Sequence, residues 1–253
     1  MDIIKINNLS VNMNDTEVLN NISLSIKEGE YICIVGKNGS GKTTFVKSLN
    51  GIILPTEGDV EILGMNTKDE SKIIEIRKNV GMVFQNPDNQ MVASLVEEDV
   101  AFGLENIGIE TDEMHIRVNE ALKKVNIENL KEQNINKLSG GQKQKVCIAG
   151  ILAMKPRIMV FDEPTSMLDP YSRTEILDEI YRLNKEENIT IIHITHFMNE
   201  IEKADRVILL NEGKLIKDTS DTENFLNNIA DIKQYNLELP LKKRIELRLK
   251  ECH

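Results

Sequence analysis

Tryptophan is absent from the 253-residue sequence, and aromatic residues make up only 4% of it. Proteins that bind single-stranded nucleic acids stack bases on aromatic side chains, which are poorly supplied here. The formal net charge of −10 also opposes binding to a nucleic-acid backbone. We therefore expect no nucleic-acid partner.

Cysteines and long apolar runs are also scarce. Cys33, Cys147 and Cys252 are far apart, and two of them lie in apolar patterns, which fits reduced packing residues better than a disulfide or zinc framework. No apolar run approaches the ~18 residues of a membrane span, and the amino terminus lacks a signal-peptide pattern. These features predict a globular protein that stays in the cytoplasm.

The run from Gly36 to Thr43 matches G-x-x-x-x-G-K-[ST] at every fixed position and follows the apolar run Tyr31–Val35. Its glycines let backbone N–H groups surround a polyanion, and the helix predicted after it adds the positive end of its dipole. Lys42 can reach the outer phosphates of a nucleotide, and the Thr43 hydroxyl can ligate Mg²⁺. The predicted nucleotide-binding residues are Gly36, Lys37, Asn38, Gly39, Ser40, Gly41, Lys42, Thr43 and Thr44.

The rest of the chain alternates strand-like and helix-like segments. Residues 2–30 show short β-like runs with polar turns, which predict an antiparallel flap. Apolar residues recur at helical spacing from about Leu95 to Ile151, which predicts an inserted helical subdomain over about 86–157. Strands return at 158–161, 189–194 and 206–210, with helical patterns over 172–185 and 197–203. This alternation predicts an α/β fold with a mostly parallel sheet.

A phosphate-binding loop alone fits kinases, GTPases, motors and transporter ATPases, so the other polar motifs must decide the class. The strand 158–161 ends in Asp162 and Glu163, at the sheet edge where ligands bind in open α/β folds. Asp162 can hold the magnesium shell, and Glu163 can orient or deprotonate a water aimed at the γ-phosphate.

A second anion-binding end precedes a helical run, at Leu138-Ser139-Gly140-Gly141-Gln142. Few single nucleotides need two such ends from one subunit, so we interpret this end as serving a nucleotide held by a second protomer. The predicted contacts from it are Ser139, Gly140, Gly141 and Gln142.

With these motifs together, residues 3 to 220 resemble an ATP-binding-cassette (ABC) ATPase, and 138–142 match the signature motif of that family. The resemblance implies a P-loop fold with a RecA-like sheet, ATP and Mg²⁺ as ligands, and two protomers that enclose them. It implies that Gln85 links the magnesium site to the transmembrane partner and that residues 166–169 connect the two sites of the dimer. It also implies that His196 contacts the γ-phosphate and that Val18 packs on the adenine.

Three positions need separate comment. His193 faces the other way from the catalytic side of an alternating strand, so we expect it in the core. Most ABC ATPases stack adenine on an aromatic residue near positions 10–14, where this chain offers Met13, whose thioether can substitute. Weaker discrimination between ATP and GTP is the resulting hypothesis. Lys145 stands where the family generally has arginine, which reduces a bidentate contact to a point charge.

A narrower resemblance concerns residues 84–90 and 96–106, which are similar to the ATPases of energy-coupling-factor (ECF) transporters, including the cobalt-uptake branch. It implies an ATP-hydrolysing subunit at the cytoplasmic face of the cell membrane, peripheral to a transmembrane scaffold and a substrate-capturing membrane protein. Vitamins or transition-metal ions are the implied solutes. It also implies domains over 1–220 and 221–253, the latter a small helical extension.

The basic amphipathic pattern around Leu241, Ile245 and Leu249 fits either packing on the chain's own domain or a contact with a partner or membrane surface. Other classes of ABC protein fit less well. Ribosome-acting members carry two cassettes, chromosome-type members carry a long coiled coil, and a degenerate sensing subunit would not need Glu163 and His196. The remaining alternative is the ATPase of a conventional importer of another small solute.

Overall fold

The computed structural model describes residues 1–14, 16–228, 234–235, 237 and 245. The chain forms two compact units, one made of Met1–Ile73 with the segment from Ile192 onwards, the other of Ile74–Ile191. The strands in chain order are β1 (Asp2–Met13), β2 (Thr16–Lys27), β3 (Tyr31–Val35), β4 (Glu57–Ile62), β5 (Met65–Asn66), β6 (Val80–Val83), β7 (Ile158–Asp162), β8 (Thr190–Ile194), β9 (Arg206–Asn211) and β10 (Lys214–Thr219). The helices are α1 (Lys42–Leu49), α2 (Ile73–Asn79), α3 (Val96–Asn106), α4 (Thr111–Lys124), α5 (Gly140–Ala153), α6 (Pro170–Glu187) and α7 (Thr222–Asn227).

The first unit contains the predicted antiparallel flap, a sheet with strand order β2-β1-β4-β5. Ile4 lies opposite Ile26 on one side and Ile62 on the other, and all three side chains are fully buried. One face of this sheet therefore packs towards a core.

A second sheet in the first unit has the strand order β10-β9-β3-β8. β3 and β9 are parallel, with Ile34 opposite Ile208, and β10 pairs antiparallel with β9. Every residue of β3 is buried, as expected for a parallel strand covered on both faces. Helix α1 follows β3 and buries Phe45, Val46 and Leu49.

The second unit combines parallel strands with a group of helices. β6 pairs in parallel with β7, with Val83 opposite Phe161. Helices α3, α4 and α5 pack on one another. Their inward residues, buried at helical spacing, are Val96, Val100, Leu104, Val118, Ala121, Leu122, Val146 and Ile148.

The secondary structure differs from the prediction at one segment. Residues 197–203 were expected to form a helix, but Met198–Lys203 is a 3-10 helix that starts from extended backbone at Phe197. Among the residues that the structure describes, no helix is both long and apolar enough to cross a bilayer. The predicted helix near the carboxyl terminus lies outside the described residues, apart from Ile245, which is exposed. The domain boundary at 220/221 stays a prediction.

Candidate nucleotide-binding and hydrolysis site

The phosphate-binding loop joins the buried end of β3 to the start of α1 in the first unit. A Cβ added at Gly36 would lie 2.2 Å from Leu210 O and 2.6 Å from Ser40 Oγ, so the backbones approach too closely for any other residue. The N-cap residue of α1 is Gly41, which has no side chain to cap the helix. Backbone N–H groups and the helix dipole favour an anion at a helix N-terminus.

Lys42 and Ser40 show that the interior of the loop fits a polyphosphate. Lys42 is only 5% exposed, and its Nζ donates to Gly36 O at 2.8 Å and Lys37 O at 3.1 Å, which holds the ammonium within the loop. Ser40 Oγ is buried and lacks a hydrogen-bond partner among the described residues. Buried polar groups are normally satisfied, so this hydroxyl indicates a place where a ligand oxygen binds.

The turn between β9 and β10 supports the phosphate-binding loop. Lys37 Nζ lies 2.9 Å from Glu212 Oε1, and this hydrogen bond lowers the pKa of the Glu212 carboxyl. Gly213 N donates to Ser40 O at 3.1 Å, and Asn20 N donates to Gly213 O at 2.8 Å. Sequence reasoning missed this turn, since its residues carry no motif and lie far along the chain.

Replacing Gly213 with Ala is expected to weaken ATP binding through this support. Gly213 has a φ of +74°, and a Cβ there would lie 2.4 Å from Val18 O. We expect ATP affinity to fall about 10-fold, equivalent to about 1.4 kcal/mol, in a calorimetric titration. Gly64→Ala is the matched control, because its φ is +80° but no atom lies within 4 Å of the added Cβ. Equal ATP affinity in the two variants would show that the turn does not support the loop.

The adenine-side residues also lie in the first unit. Val18 is half-buried on β2, and its carbonyl oxygen would be 2.9 Å from a Cβ at Gly41, so Val18 borders the phosphate-binding loop. Met13 ends β1 opposite Thr16 and is 39% exposed.

His196, the residue predicted to contact the γ-phosphate, follows β8 and is half-buried. The centroid of its ring lies 4.0 Å from the centroid of the Phe197 ring.

In the second unit, Gln85, Glu163 and Ser166 form one hydrogen-bonded group. Gln85 Nε2 donates to Glu163 Oε2 at 3.3 Å and to Ser166 Oγ at 3.1 Å, and Ser166 Oγ donates to Glu163 O at 3.0 Å. Glu163 has a φ of +51°, a left-handed conformation that is strained for a glutamate and typical of functional sites. Asp162 precedes it at the end of β7 and is 8% exposed. The sequence predicted Gln85 and Glu163, but not their direct contact.

The signature segment begins α5 with a complete capping box. Ser139 Oγ accepts from Gln142 N at 3.3 Å, and Gln142 Oε1 accepts from Ser139 N at 2.9 Å. Ser139 remains exposed, so its hydroxyl proton can be donated outwards. Gly140 and Gly141 follow as the first residues of the helix.

Three contacts hold the segments around the signature motif. Lys143 Nζ lies 2.6 Å from Asp88 Oδ1 and ties α5 to the segment after Gln85. Asp169 caps α6, and its hydrogen bonds from Ser172 hold the pKa of the carboxyl below its ordinary value. Lys145, the residue predicted to replace an arginine, lies 3.4 Å from Glu175 as a single charged contact. The Asp88–Lys143 pair gave no sequence signal because the two residues are far apart in the chain.

Comparison with known proteins places this constellation in a family. The protein-family model described as ABC transporter matches residues 19–166 of this chain. The chain belongs to the ABC transporter family. It is 51% identical over 243 residues to the energy-coupling factor transporter ATP-binding protein EcfA1 of Clostridioides difficile (strain 630), covering 94% of this chain and 87% of that protein. It is 48% identical over 242 residues to EcfA of Pediococcus pentosaceus, covering 94% of this chain and 86% of that protein.

Solved structures of ABC proteins agree. CbiO1 from Clostridium perfringens, described as part of the ABC transporter complex cbiONQ, superposes with a TM-score of 0.85 at 36% identity, covering 98% of this chain and 99% of that one. The ATP-binding cassette MJ0796, a dimer bound to ADP and Pi in a post-hydrolysis state, gives a TM-score of 0.76 at 32% identity, covering 85% and 97%. These findings confirm the predicted fold class and an ABC-type ATPase of the ECF kind.

Membership of this family also implies ATP as the nucleotide, a second ATPase protomer and a membrane transporter as the setting. The roles of individual site residues stay predictions.

Proposed function

We propose that this chain couples ATP hydrolysis to solute uptake as a peripheral subunit at the cytoplasmic face of the cell membrane. Its partners would be a second ATPase protomer, a transmembrane scaffold and a substrate-capturing membrane protein. Vitamins or transition-metal ions are the proposed solutes. The hydrogen-bonded group of Gln85, Glu163 and Ser166 carries the proposal most strongly, since it joins a general base directly to the segment assigned to the scaffold.

Mg²⁺ would be held by Thr43, Asp162 and Gln85. The donor set fits this ion, which prefers hydroxyl, carboxylate and amide oxygens. Gln85 fits in particular because its Nε2 donates to Glu163 and Ser166, which leaves Oε1 as the group that can face a cation. Bound Mg²⁺ supplies positive charge that neutralises the β- and γ-phosphates.

Each of the site residues would have its own role in ATP binding or hydrolysis. Lys42 and the N–H groups of the phosphate-binding loop bind the phosphates of ATP, and residues 139–142 of the second protomer contact the γ-phosphate from the other side. Glu163 accepts a proton from the attacking water, and His196 donates a hydrogen bond to the transferred phosphoryl group. The dimer closes on ATP and reopens after hydrolysis.

The proposed scaffold contact is a cavity of about 240 Å³ in the second unit, lined by residues of β6, α3, α5 and the segment after Gln85. Its lining includes Phe84, Phe102, Cys147 and Met154, and Phe102 is 45% exposed and Val92 59% exposed at its edge. Burial raises the pKa of Cys147 to about 12, so its thiol stays protonated and acts as an apolar surface. The occupant would be an apolar segment of the scaffold.

Co-purification from detergent-solubilised membranes tests both the partners and this surface. We expect the tagged chain to retain an ECF-type scaffold and a substrate-capturing protein, and Phe102→Asp to lose both while binding ATP with parent affinity. Ile116→Asp is the matched control, since Ile116 is a 58% exposed apolar residue on α4 and does not line the cavity. Recovery of a permease of another class would favour the alternative, a conventional importer of another solute. Retention of partners by Phe102→Asp would exclude the cavity as the contact.

A further inference from the structure

Buried polar side chains flank His196 in the first unit. They are Tyr31 on β3, His193 on β8, Thr195 directly after β8, and Glu200 in the following 3-10 helix, and we refer to these residues as the buried polar network. Their exposed fractions are 2%, 0%, 1% and 4% in that order. None of them belongs to the phosphate-binding loop or to the hydrolysis steps above. Burying a carboxylate and an imidazole costs free energy, so their retention in a core needs an explanation.

Thr195 fixes the backbone on both sides of His196. Its Oγ1 accepts a hydrogen bond from Phe197 N at 3.0 Å, which closes a turn across His196. The same oxygen donates its proton to Glu200 Oε2 at 2.6 Å, so a short hydrogen bond sets the rotamer of Thr195. Thr195 N also donates to Ile34 O at 3.2 Å, which ties the turn to β3.

Glu200 is in turn held by the rest of the network. Its own N–H donates to Phe197 O at 3.0 Å, which closes the turn from the other end. His193 Nε2 lies 3.4 Å from Glu200 Oε2, and His193 Nδ1 lies 3.1 Å from the Tyr31 hydroxyl oxygen. Burial raises the pKa of the Tyr31 hydroxyl, so it stays protonated. In the tautomer in which Nδ1 accepts from Tyr31, the imidazole proton is on Nε2, on the side of Glu200.

We propose that Thr195 and Glu200 are positioning residues that orient His196 for ATP hydrolysis, with His193 and Tyr31 holding Glu200 in place. The inference rests on the role of His196 given under the proposed function. Phosphoryl transfer depends on placing groups accurately, and a displacement of about 1 Å can cost 10²-fold in rate. If the network served only the stability of the fold, substitutions in it would lower the melting temperature but leave the rate of the chemical step unchanged.

Thr195→Val tests the proposal in the assembled complex, because valine keeps the shape of threonine and removes both hydroxyl-mediated bonds. We expect kcat for ATP to fall roughly 10- to 100-fold while KM changes by less than about 3-fold. Thr195→Ser restores the hydroxyl and is expected to recover most of the lost kcat. The matched control is Ile192→Val, which trims a fully buried side chain of β8 outside the network and should keep the parent kcat.

A double-mutant cycle shows whether Thr195 acts through His196. His196→Ala alone should lower kcat at least as much as Thr195→Val, and the double variant should lose no more than His196→Ala alone. Glu200→Gln keeps an acceptor oxygen for Thr195 but replaces the carboxyl group that faces His193. We therefore expect a kcat between those of the parent and Thr195→Val. Glu200→Gln also carries the test if melting curves show that Thr195→Val does not fold.

The outcomes distinguish failure of the proposed function from failure of the inference about Thr195 and Glu200. A parent complex that does not hydrolyse ATP would overturn the proposed function and the inference with it. Parent-like kcat in both Thr195→Val and Glu200→Gln would overturn the inference alone. So would losses that multiply in the double variant, since they would show that Thr195 acts independently of His196.

Discussion

Glu163→Gln is expected to lower ATP hydrolysis by roughly 10²- to 10⁴-fold while ATP still binds. An amide has the shape of the carboxylate but cannot accept a proton from water, so the chemical step loses its base. The Gln85 Nε2 contact, 3.3 Å from Glu163 Oε2, can be kept by the carbonyl oxygen of the new glutamine. The measurement is ATP turnover by the assembled complex beside ATP binding by titration calorimetry.

Glu186→Gln is the control for the change in net charge. Glu186 lies on α6, its side chain is 62% exposed, and its ion pair with Arg182 has a length of 3.4 Å. An exposed pair of this kind contributes little to stability, so this variant should keep the parent turnover. Near-parent turnover in Glu163→Gln would instead show that another group accepts the proton, and the hydrogen-bonded group of Gln85, Glu163 and Ser166 would then be structural.

The parts of the site that the sequence predicted are those whose chemistry is local. The phosphate-binding loop is one run of residues after a buried strand, and its glycines, Lys42 and helix start all follow from that run. The capping box of Ser139 and Gln142 is equally local, because its two residues are three positions apart. Period-two alternation likewise predicted the flap and the core position of His193, which is fully buried.

The parts that the sequence did not predict depend on contacts between distant residues. Gly213 supports Ser40, and Glu200 holds Thr195, through hydrogen bonds that no single motif encodes. The sequence predicted a helical pattern over 197–203 but not that Met198–Lys203 is a 3-10 helix, since hydrophobic spacing does not show that Phe197 N bonds to Thr195 Oγ1. Side chains that compete with the backbone for hydrogen bonds decide such segments.

Lys42→Ala is expected to weaken ATP binding by about 10- to 100-fold, because a hydrogen bond to a charged group contributes about 1.5–3 kcal/mol. The side chain is buried, and its ammonium lies against Gly36 O and Lys37 O at the point where phosphate oxygens would enter. Lys47→Ala on the last turn of α1 removes the same charge away from the loop and should keep the parent affinity. Titration calorimetry measures both.

The same variant tests whether the loop is half of a two-protomer site. Glu163→Gln should trap the ATP-closed dimer, which light scattering can follow as ATP is added. Adding Lys42→Ala to that variant should move closure to higher ATP concentration in proportion to the lost affinity, because in the proposed site ATP binds between Lys42 of one protomer and Ser139 of the other. Closure at unchanged ATP concentration would mean that the loop binds its nucleotide without help from the signature segment of a second chain.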